Sequence, residues 1–235
     1  MGQEPRISVV IPALNEASAI EACIVSVRRT DRPVEIIVAD GGSTDGTADL
    51  ARKAGALVIE GRRGRADQQN AGARAASGEP LLFLPADTRL PEGWAQALRV
   101  ALARPGVAGG AFRLGIDARG SGLRFIEAMA NLRSVVLQMP FGDQAIFLRR
   151  SRFFELGGFP EMPIMEDFAL VQKLRRTGRV VTLPARAVTS PRRWQRLGAL
   201  RVTLLNKVMI WGYKAGVPPE RLARWYHLGR EGGFS

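Results

Sequence analysis

An α/β architecture with a mainly parallel sheet covered by helices on both faces is what this sequence predicts, on three observations. Short runs with an apolar side chain at nearly every position recur between residues 7 and 84. Strands buried on both faces read this way, whereas half-solvated antiparallel strands alternate apolar and polar positions. Stretches of helical periodicity separate the runs, and this alternation is the mark of repeated βα units. Pro, Gly and acidic residues cluster just after the runs, where open α/β sheets carry their ligands.

Taken in order, Ile7-Ser8-Val9-Val10-Ile11 is a buried strand that stops at Pro12. Residues 16–29 place Ile20, Cys23, Ile24 and Val27 at helical spacing. Val34–Ala39 is a second strand, Ser43 or Thr44 caps a helix running through Ala54, and Ala56–Glu60 is a third strand. An Ala-rich helix over 65–77 leads into the strand Leu81-Leu82-Phe83-Leu84, and Pro91 in a first helical turn opens a helix to about Ala103. Beyond residue 106 the rhythm changes. A longer strand over Val107–Ile116 precedes an apolar helix over 121–138, a strand over Ala145–Leu148 and a helix over Glu166–Arg176. Two short strands, Val180–Leu183 and Ala187–Thr189, are followed by helices over Leu197–Tyr213 and Pro219–His227. The expected organisation is one α/β domain over 1–190 and a basic helical extension over 191–235, packed on the same domain.

The chain has 235 residues, 46% hydrophobic and 24% charged, values of a globular protein rather than a disordered or fibrous one. Its 34 Lys and Arg exceed its 22 Asp and Glu, a net charge of +12. The excess is not spread evenly. Residues 1–168 carry 20 basic and 20 acidic side chains, and residues 169–235 carry 14 basic ones against Glu220 and Glu231. An anionic partner is therefore expected at the C-terminal end. Trp194, Trp211, Trp225 and Tyr226 lie among those basic residues, a composition that suits an anionic membrane surface or a lipid-phosphate acceptor as well as a solvated basic face. No nucleic-acid-binding motif accompanies the charge, so nucleic acid is not an expected partner. One cysteine, Cys23, and one histidine, His227, exclude an intramolecular disulfide and a Cys/His zinc site. With no signal pattern at the start and no apolar run of ~18–20 residues, the expected location is cytoplasmic, either soluble or peripheral on the inner face of a membrane.

Five segments carry residues suited to chemistry. Pro12-Ala13-Leu14-Asn15-Glu16 and Asp40-Gly41-Gly42-Ser43-Thr44-Asp45-Gly46-Thr47 follow the first two strands. Asp40 can accept hydrogen bonds from a base or a ribose hydroxyl, while the same segment also reads as a capped turn. Gly61-Arg62-Arg63-Gly64-Arg65 precedes a helix, an arrangement that suits a phosphate as well as a solvated loop. Asp87 in Pro85-Ala86-Asp87-Thr88 is a hard oxygen ligand for Mg²⁺ or Mn²⁺, or a capping residue. Glu166-Asp167 opens a helix, where one carboxylate can serve as a base and both can complement the helix dipole. GxGxxG and GxxxxGK[ST] are both absent, which removes the main support for dinucleotide-binding and P-loop readings.

The ordered set VVIPALNE (9–16), ADGGSTDGT (39–47), GRADQQNAGARAASGE (64–79), LLFLPADT (81–88), LGGFPE (156–161) and MEDFAL (165–170) resembles family 2 inverting glycosyltransferases over about residues 6–194. These have the GT-A fold and use nucleotide-diphosphate sugars. The run from Pro85–Thr88 through Thr189-Ser190-Pro191-Arg192-Arg193-Trp194 further resembles the branch called radical-SAM/selenodomain-associated transferase 2.

The resemblance implies a nucleotide site made by Pro12, Ala13, Asn15, Glu16, Asp40, Gly42, Ser43, Arg65 and Asp87. Asp87 matches the last acidic residue of the family's Asp-x-Asp metal motif, which implies Mg²⁺ or Mn²⁺ as cofactor. Asp167 matches the base that deprotonates the acceptor, with Glu166 beside it. Arg193 and Trp194, with Arg192, match the acceptor and diphosphate motif, and Asp143 and Gln144 are expected to touch sugar or acceptor. The implied reaction is transfer of the sugar to an acceptor hydroxyl or phosphate, lipid-linked acceptors included, by one displacement with inversion. Two departures stand out. Pro85 replaces the first acidic residue of the metal motif and leaves only Asp87 to ligate there, and Ala169 replaces a second acidic residue after the Glu-Asp pair. A nucleotidyltransferase releasing pyrophosphate, and a non-catalytic nucleotide-sugar or membrane-binding module, are the competing readings.

Overall fold

In a computed structural model that describes residues 6–231, β1 (Ile7–Ala13) is the strand from which the sheet spreads in both directions. Its apolar residues are buried on both faces, and it pairs in parallel with β2 (Val34–Asp40) on one side and with β4 (Leu81–Phe83) on the other. β3 (Leu57–Glu60) extends the parallel arm beyond β2. The intervening helices are α1 (Ile20–Arg28), α2 (Thr47–Lys53) and α3 (Arg65–Ala75). Because the chain runs outward from β1 to β2 and β3 and then crosses back to β4 on the other side of β1, the crevice above the carboxyl ends of β1 and β4 is a topological switch point.

The remaining strands are β5 (Thr88–Arg89), β6 (Val107–Ile116), β7 (Ile146–Leu148) and β8 (Arg179–Thr189). The full eight-stranded order is β3-β2-β1-β4-β7-β6-β8-β5. β7 runs antiparallel to both β4 and β6, β6 and β8 run parallel, and β5 caps the edge antiparallel to β8. Two glycines let β6 sit where it does. An added Cβ on Gly109 would lie 2.7 Å from the Phe147 carbonyl oxygen, and one on Gly110 would meet the Phe147 ring at 2.6 Å.

Differences from the expected elements have local causes. The two short strands expected over 180–189 are one strand, kinked by a register shift opposite Phe112/Arg113, where Pro184 interrupts the pattern. Ser43 and Thr44 do not cap α2. Gly46 does, at φ 86°, and Asp45 accepts the Thr47 backbone N–H at 3.0 Å. Pro91 lies ahead of the first turn of α4 (Trp94–Ala103), which is entered through Gly93. α5 (Ser121–Val136) ends two residues early, and α6 (Arg150–Glu155) was not expected. The helical end comprises α7 (Glu166–Arg175), a short α8 (Arg192–Leu197), α9 (Ala199–Lys214) and α10 (Pro219–Glu231).

The segment after residue 190 is part of the fold. Trp194 and Val202 share a buried cluster with Leu114 and Ile116 of β6, while Met209 and Leu222 pack with Ala111, Ile146, Phe168 and Val171. Burying a side chain of this size contributes roughly 1.5–3 kcal/mol. The last residues of the expected extension, 232–235, lie outside the described region.

Candidate functional site

The carboxyl ends of β1 and β2 are level, Ala13 opposite Asp40, and the loops beyond them brace each other. Asp40 is buried and accepts the N–H groups of Gly42 (3.0 Å) and Ser43 (2.9 Å) together with the Ser43 hydroxyl. Asn15, at φ 55°, donates its N–H to Ser43 Oγ and accepts the Thr44 N–H, each at 2.9 Å. The Glu16 and Ala17 N–H groups are held by Thr47 and Asp45. Asn15, Asp40, Gly42 and Ser43 thus form a tied double loop, and none of them lines the neighbouring cavities. Gln68 on α3 completes the tie. Its Nε2 donates to the carbonyls of Ala13 (2.7 Å) and Ala39 (2.9 Å).

Two adjoining cavities open above these strand ends. The larger, about 810 Å³, is lined by Pro12, Ala13, Glu16, Arg65, Gln68, Asp87, Asp143, Arg193 and Trp194, with Arg63, Asp67, Glu161 and Met162 around them. The smaller, about 300 Å³, is lined by Glu166 and Asp167 at the start of α7, Phe141, Ile164 and Met165, and by Asn206, Met209 and Ile210 of α9 with Tyr226 of α10. Arg65, Asp143, Pro163, Arg193 and His227 belong to both walls. Sequence reading missed the α9 and α10 wall, Gln68 and His227. Only Gln68 had a signal, inside the 64–79 segment.

Met165 adopts φ 72°, a left-handed conformation rare for a branchless but bulky residue, and it turns the chain so that α7 begins at the cavity. Asp167 accepts the Gly142 N–H at 2.6 Å through one oxygen and the Phe168 N–H at 2.7 Å through the other. Gly142 packs closely here, and a Cβ would lie 2.8 Å from Arg65 Nη2 and 3.0 Å from Asp167 Oδ2, so a larger residue would displace these side chains. Glu166 is buried, and Arg65 Nε faces it at 3.4 Å. Burial pushes the Glu166 carboxyl up, against the pull of Arg65 and with the neighbouring Asp167 adding to the rise. Burial also raises Asp143, against the opposing charges of Arg133 and Arg193, and its Oδ1 has no hydrogen-bond partner.

Gln144 does not reach either cavity. It is fully buried, donating to the Phe112 carbonyl at 3.0 Å and accepting from the Phe141 N–H and Arg133, so it closes the Gly142–Gln144 3₁₀ turn instead of touching a ligand. Arg192 stands behind the larger cavity and joins two of its carboxylates, bonding Glu16 and lying 3.5 Å from Asp87 Oδ2. Glu16 is raised by burial in spite of that partner.

The metal expected at Asp87 meets an unsuitable donor set. Pro85 offers no side-chain ligand, which leaves the single carboxylate of Asp87, and the Arg192 guanidinium already bridges that carboxylate to Glu16.

Residues 8–155 match the model of glycosyl transferase family 2. The chain belongs to that family. Among the relatives of this family 2 chain, the PGL/p-HBAD biosynthesis glycosyltransferase of Mycobacterium bovis is 41% identical over 96 residues, 37% of this chain and 38% of the relative. Glycosyltransferase AglE of Haloferax volcanii is 33% identical over 100 residues, 38% of this chain and 33% of the relative. The matched part thus spans well under half the length of these curated relatives. Among solved structures, a mannosyltransferase from Pyrobaculum calidifontis, in complex with GDP-Man and Mn²⁺, superposes with a TM-score of 0.69 at 25% identity, over 95% of this chain and 68% of that one. Glucosyl-3-phosphoglycerate synthase from Mycobacterium tuberculosis shares the fold at a TM-score of 0.62 and 24% identity, over 91% and 81%. The mixed α/β sheet described above is the GT-A fold of these proteins.

Proposed function

We propose that this family 2 chain transfers a sugar from a nucleoside-diphosphate sugar to an acceptor hydroxyl by a single displacement with inversion. The observation that carries the reading is the pair of cavities sharing Arg65, Asp143 and Arg193, with Asp87 in the wall of one and Asp167 in the wall of the other. The larger takes the donor, a reading supported by the Pyrobaculum calidifontis mannosyltransferase of the same fold, which was solved in complex with a nucleotide sugar, GDP-Man. Pro12, Ala13 and Glu16 line it directly, and Asn15, Asp40, Gly42 and Ser43 hold the loop that shapes it. The smaller takes the acceptor.

Asp167 removes the proton of the acceptor hydroxyl as its oxygen attacks the anomeric carbon from the face opposite the diphosphate. The bond from that carbon to the diphosphate oxygen breaks, and the diphosphate leaves with the electron pair. Two backbone N–H groups, one on each oxygen, fix the orientation of the Asp167 carboxyl. Glu166, raised by burial, stays beside Arg65 as the partner that orients this guanidinium. Arg65 and Arg193, in the wall common to both cavities, meet charge growing on the leaving group, the contribution that fixed dipoles and cations make largest. No step is routed through a metal. Within the family we place the chain in the radical-SAM/selenodomain-associated transferase 2 branch, and we take the acceptor to be lipid-linked and the site of action to be the cytoplasmic side of a membrane.

The test is product analysis with a panel of nucleoside-diphosphate sugars. Release of a nucleoside diphosphate together with a glycoside of inverted anomeric configuration by NMR is expected. Pyrophosphate release from nucleoside triphosphates would point to nucleotidyl transfer instead, and nucleotide-sugar binding without turnover to a non-catalytic module.

A further inference from the structure

Most of the large apolar side chains exposed among the described residues belong to two helices that pack against each other, α5 and α9. On α5, Phe125, Met129, Leu132 and Val136 are exposed, and their spacing of four, three and four residues puts them on one stripe. On α9, Leu200, Leu204, Val208 and Trp211 form a second stripe with spacing of four, four and three. Exposure reaches 66% at Phe125, 88% at Leu200 and 76% at Trp211, values that no packed core position shows. The opposite face of α9 is occupied. Val202, Leu205 and Met209 are buried, and Met209 lines the smaller cavity. α9 therefore has an inward apolar face that the fold has satisfied, and α5 turns half-buried Leu123, Ile126 and Ala130 inward beside buried Glu127 and Ser134. Both helices carry an outward apolar stripe that the fold leaves uncovered.

The charges around the stripes are of one sign. α9 contains no acidic residue, and Lys207 and Lys214 on it and Arg196 just before it are exposed. The single acid of α5, Glu127, is buried and faces Arg124 at 3.0 Å and Arg186 at 3.8 Å. Asp117, ahead of α5, is bound by Arg89 at 2.6 Å. A water-exposed surface of a single protein gains nothing from two apolar stripes framed by cations, whereas a bilayer with anionic headgroups meets both features at once. No described helix is long and apolar enough to cross a membrane, so contact is along the helix sides.

We propose that the α5/α9 face is a peripheral docking surface for an anionic lipid bilayer, with the two stripes seated in the headgroup–acyl boundary and the Lys and Arg residues on anionic headgroups. α9 then lies between the bilayer and the smaller cavity, one face to each. The assignment does not rest on the transferase reaction, and its test does not use turnover.

Co-sedimentation of the full chain with vesicles of phosphatidylcholine alone, or with a third of the lipid replaced by phosphatidylglycerol, is the experiment. Binding to the anionic vesicles at low salt, weakened at high salt, is expected, with a blue shift of tryptophan emission. Trp94 and Trp194 are buried and Trp225 is half-buried against the core, so Trp211 supplies most of that shift, and Trp211→Phe loses most of it while binding persists. Phe125→Glu with Leu204→Glu lowers the vesicle partition coefficient at least about tenfold, and Val100→Glu, on the exposed side of α4, leaves it unchanged. Absence of binding at low salt, equal loss on Val100→Glu, or a soluble dimer dispersed by Phe125→Glu with no vesicle binding would each overturn the proposal, the last in favour of a second copy as occupant.

Discussion

The two cavities meet along a shared wall, yet they are built from different material. The larger rests on strand ends and tight loops, where Asp40, Ser43, Asn15, Asp45 and Gln68 bind backbone groups of neighbouring segments. The smaller is closed by side chains of α9 and α10 that meet residues 163–168 only through tertiary packing. The first site has a floor stiffened by local hydrogen bonds, and the C-terminal helices add only one side of its wall, through Arg193, Trp194 and His227. The second exists only when those helices dock. In the proposed reaction the difference separates a donor platform, set by loop chemistry, from an acceptor chamber, set by assembly.

The comparison breaks most sharply at Asp167. Asp167→Asn keeps the Gly142 contact through the amide oxygen but removes the base, so transfer is expected to fall by about 10²–10⁴-fold, with donor affinity unchanged by calorimetry. A parallel loss of donor binding would mean that the chambers are not separate. The next effect lies on the donor side. Arg192→Ala frees Glu16 and Asp87 from their common partner, which should weaken donor binding by about tenfold for a lost charge-assisted pair and make the remaining activity rise with added Mn²⁺. The parent enzyme should be insensitive to a chelator, and loss of all parent activity in EDTA would show that a divalent ion, rather than Arg192, holds those carboxylates.

The smallest effect sharpens the shared wall. Burial raises the Asp143 carboxyl, so the folded chain holds that proton more tightly than the unfolded one. Its stabilising contribution is complete below the ordinary value of ~3.9 and is lost as pH rises through the raised one. Asp143→Asn cannot ionise. It should melt above the parent at pH 8 and together with it near pH 3.5. Equal melting at both values would place Asp143 in water in the folded protein. Loss of turnover in the same variant would show that the unpartnered Oδ1 is kept at a cost in stability for contact with ligand.

Much of the larger cavity could be read from residue order. The strands β1, β2 and β4 follow from unbroken apolar runs, and Asp87, Arg65 and Glu16 fall at their ends. Asp40, Asn15, Gly42 and Ser43 were expected to meet the nucleotide, and the structure turns them toward each other because the loop needs its own N–H groups satisfied. Gln144 was read as a ligand contact for the same reason in reverse: a polar residue in a motif-rich stretch gives no sign that a 3₁₀ turn will bury it. The aromatic cluster expected at a membrane interface also divides. Trp194 is buried against β6, and Trp211 alone among the tryptophans is largely exposed.

The sequence by itself determined the α/β class, the strand ends that carry the chemistry and the family, because those depend on local periodicity and on short motifs whose residues are neighbours in the chain. Only the tertiary structure decided that Arg192 would stand between Glu16 and Asp87, 176 residues from the first of them, and that α9 and α10 would wall the smaller cavity. It also decided the fate of the two apolar faces of α9. A helix apolar nearly all round shows that it must be covered. Which face finds protein, and which is left for another partner, depends on the surfaces that long-range packing brings to it.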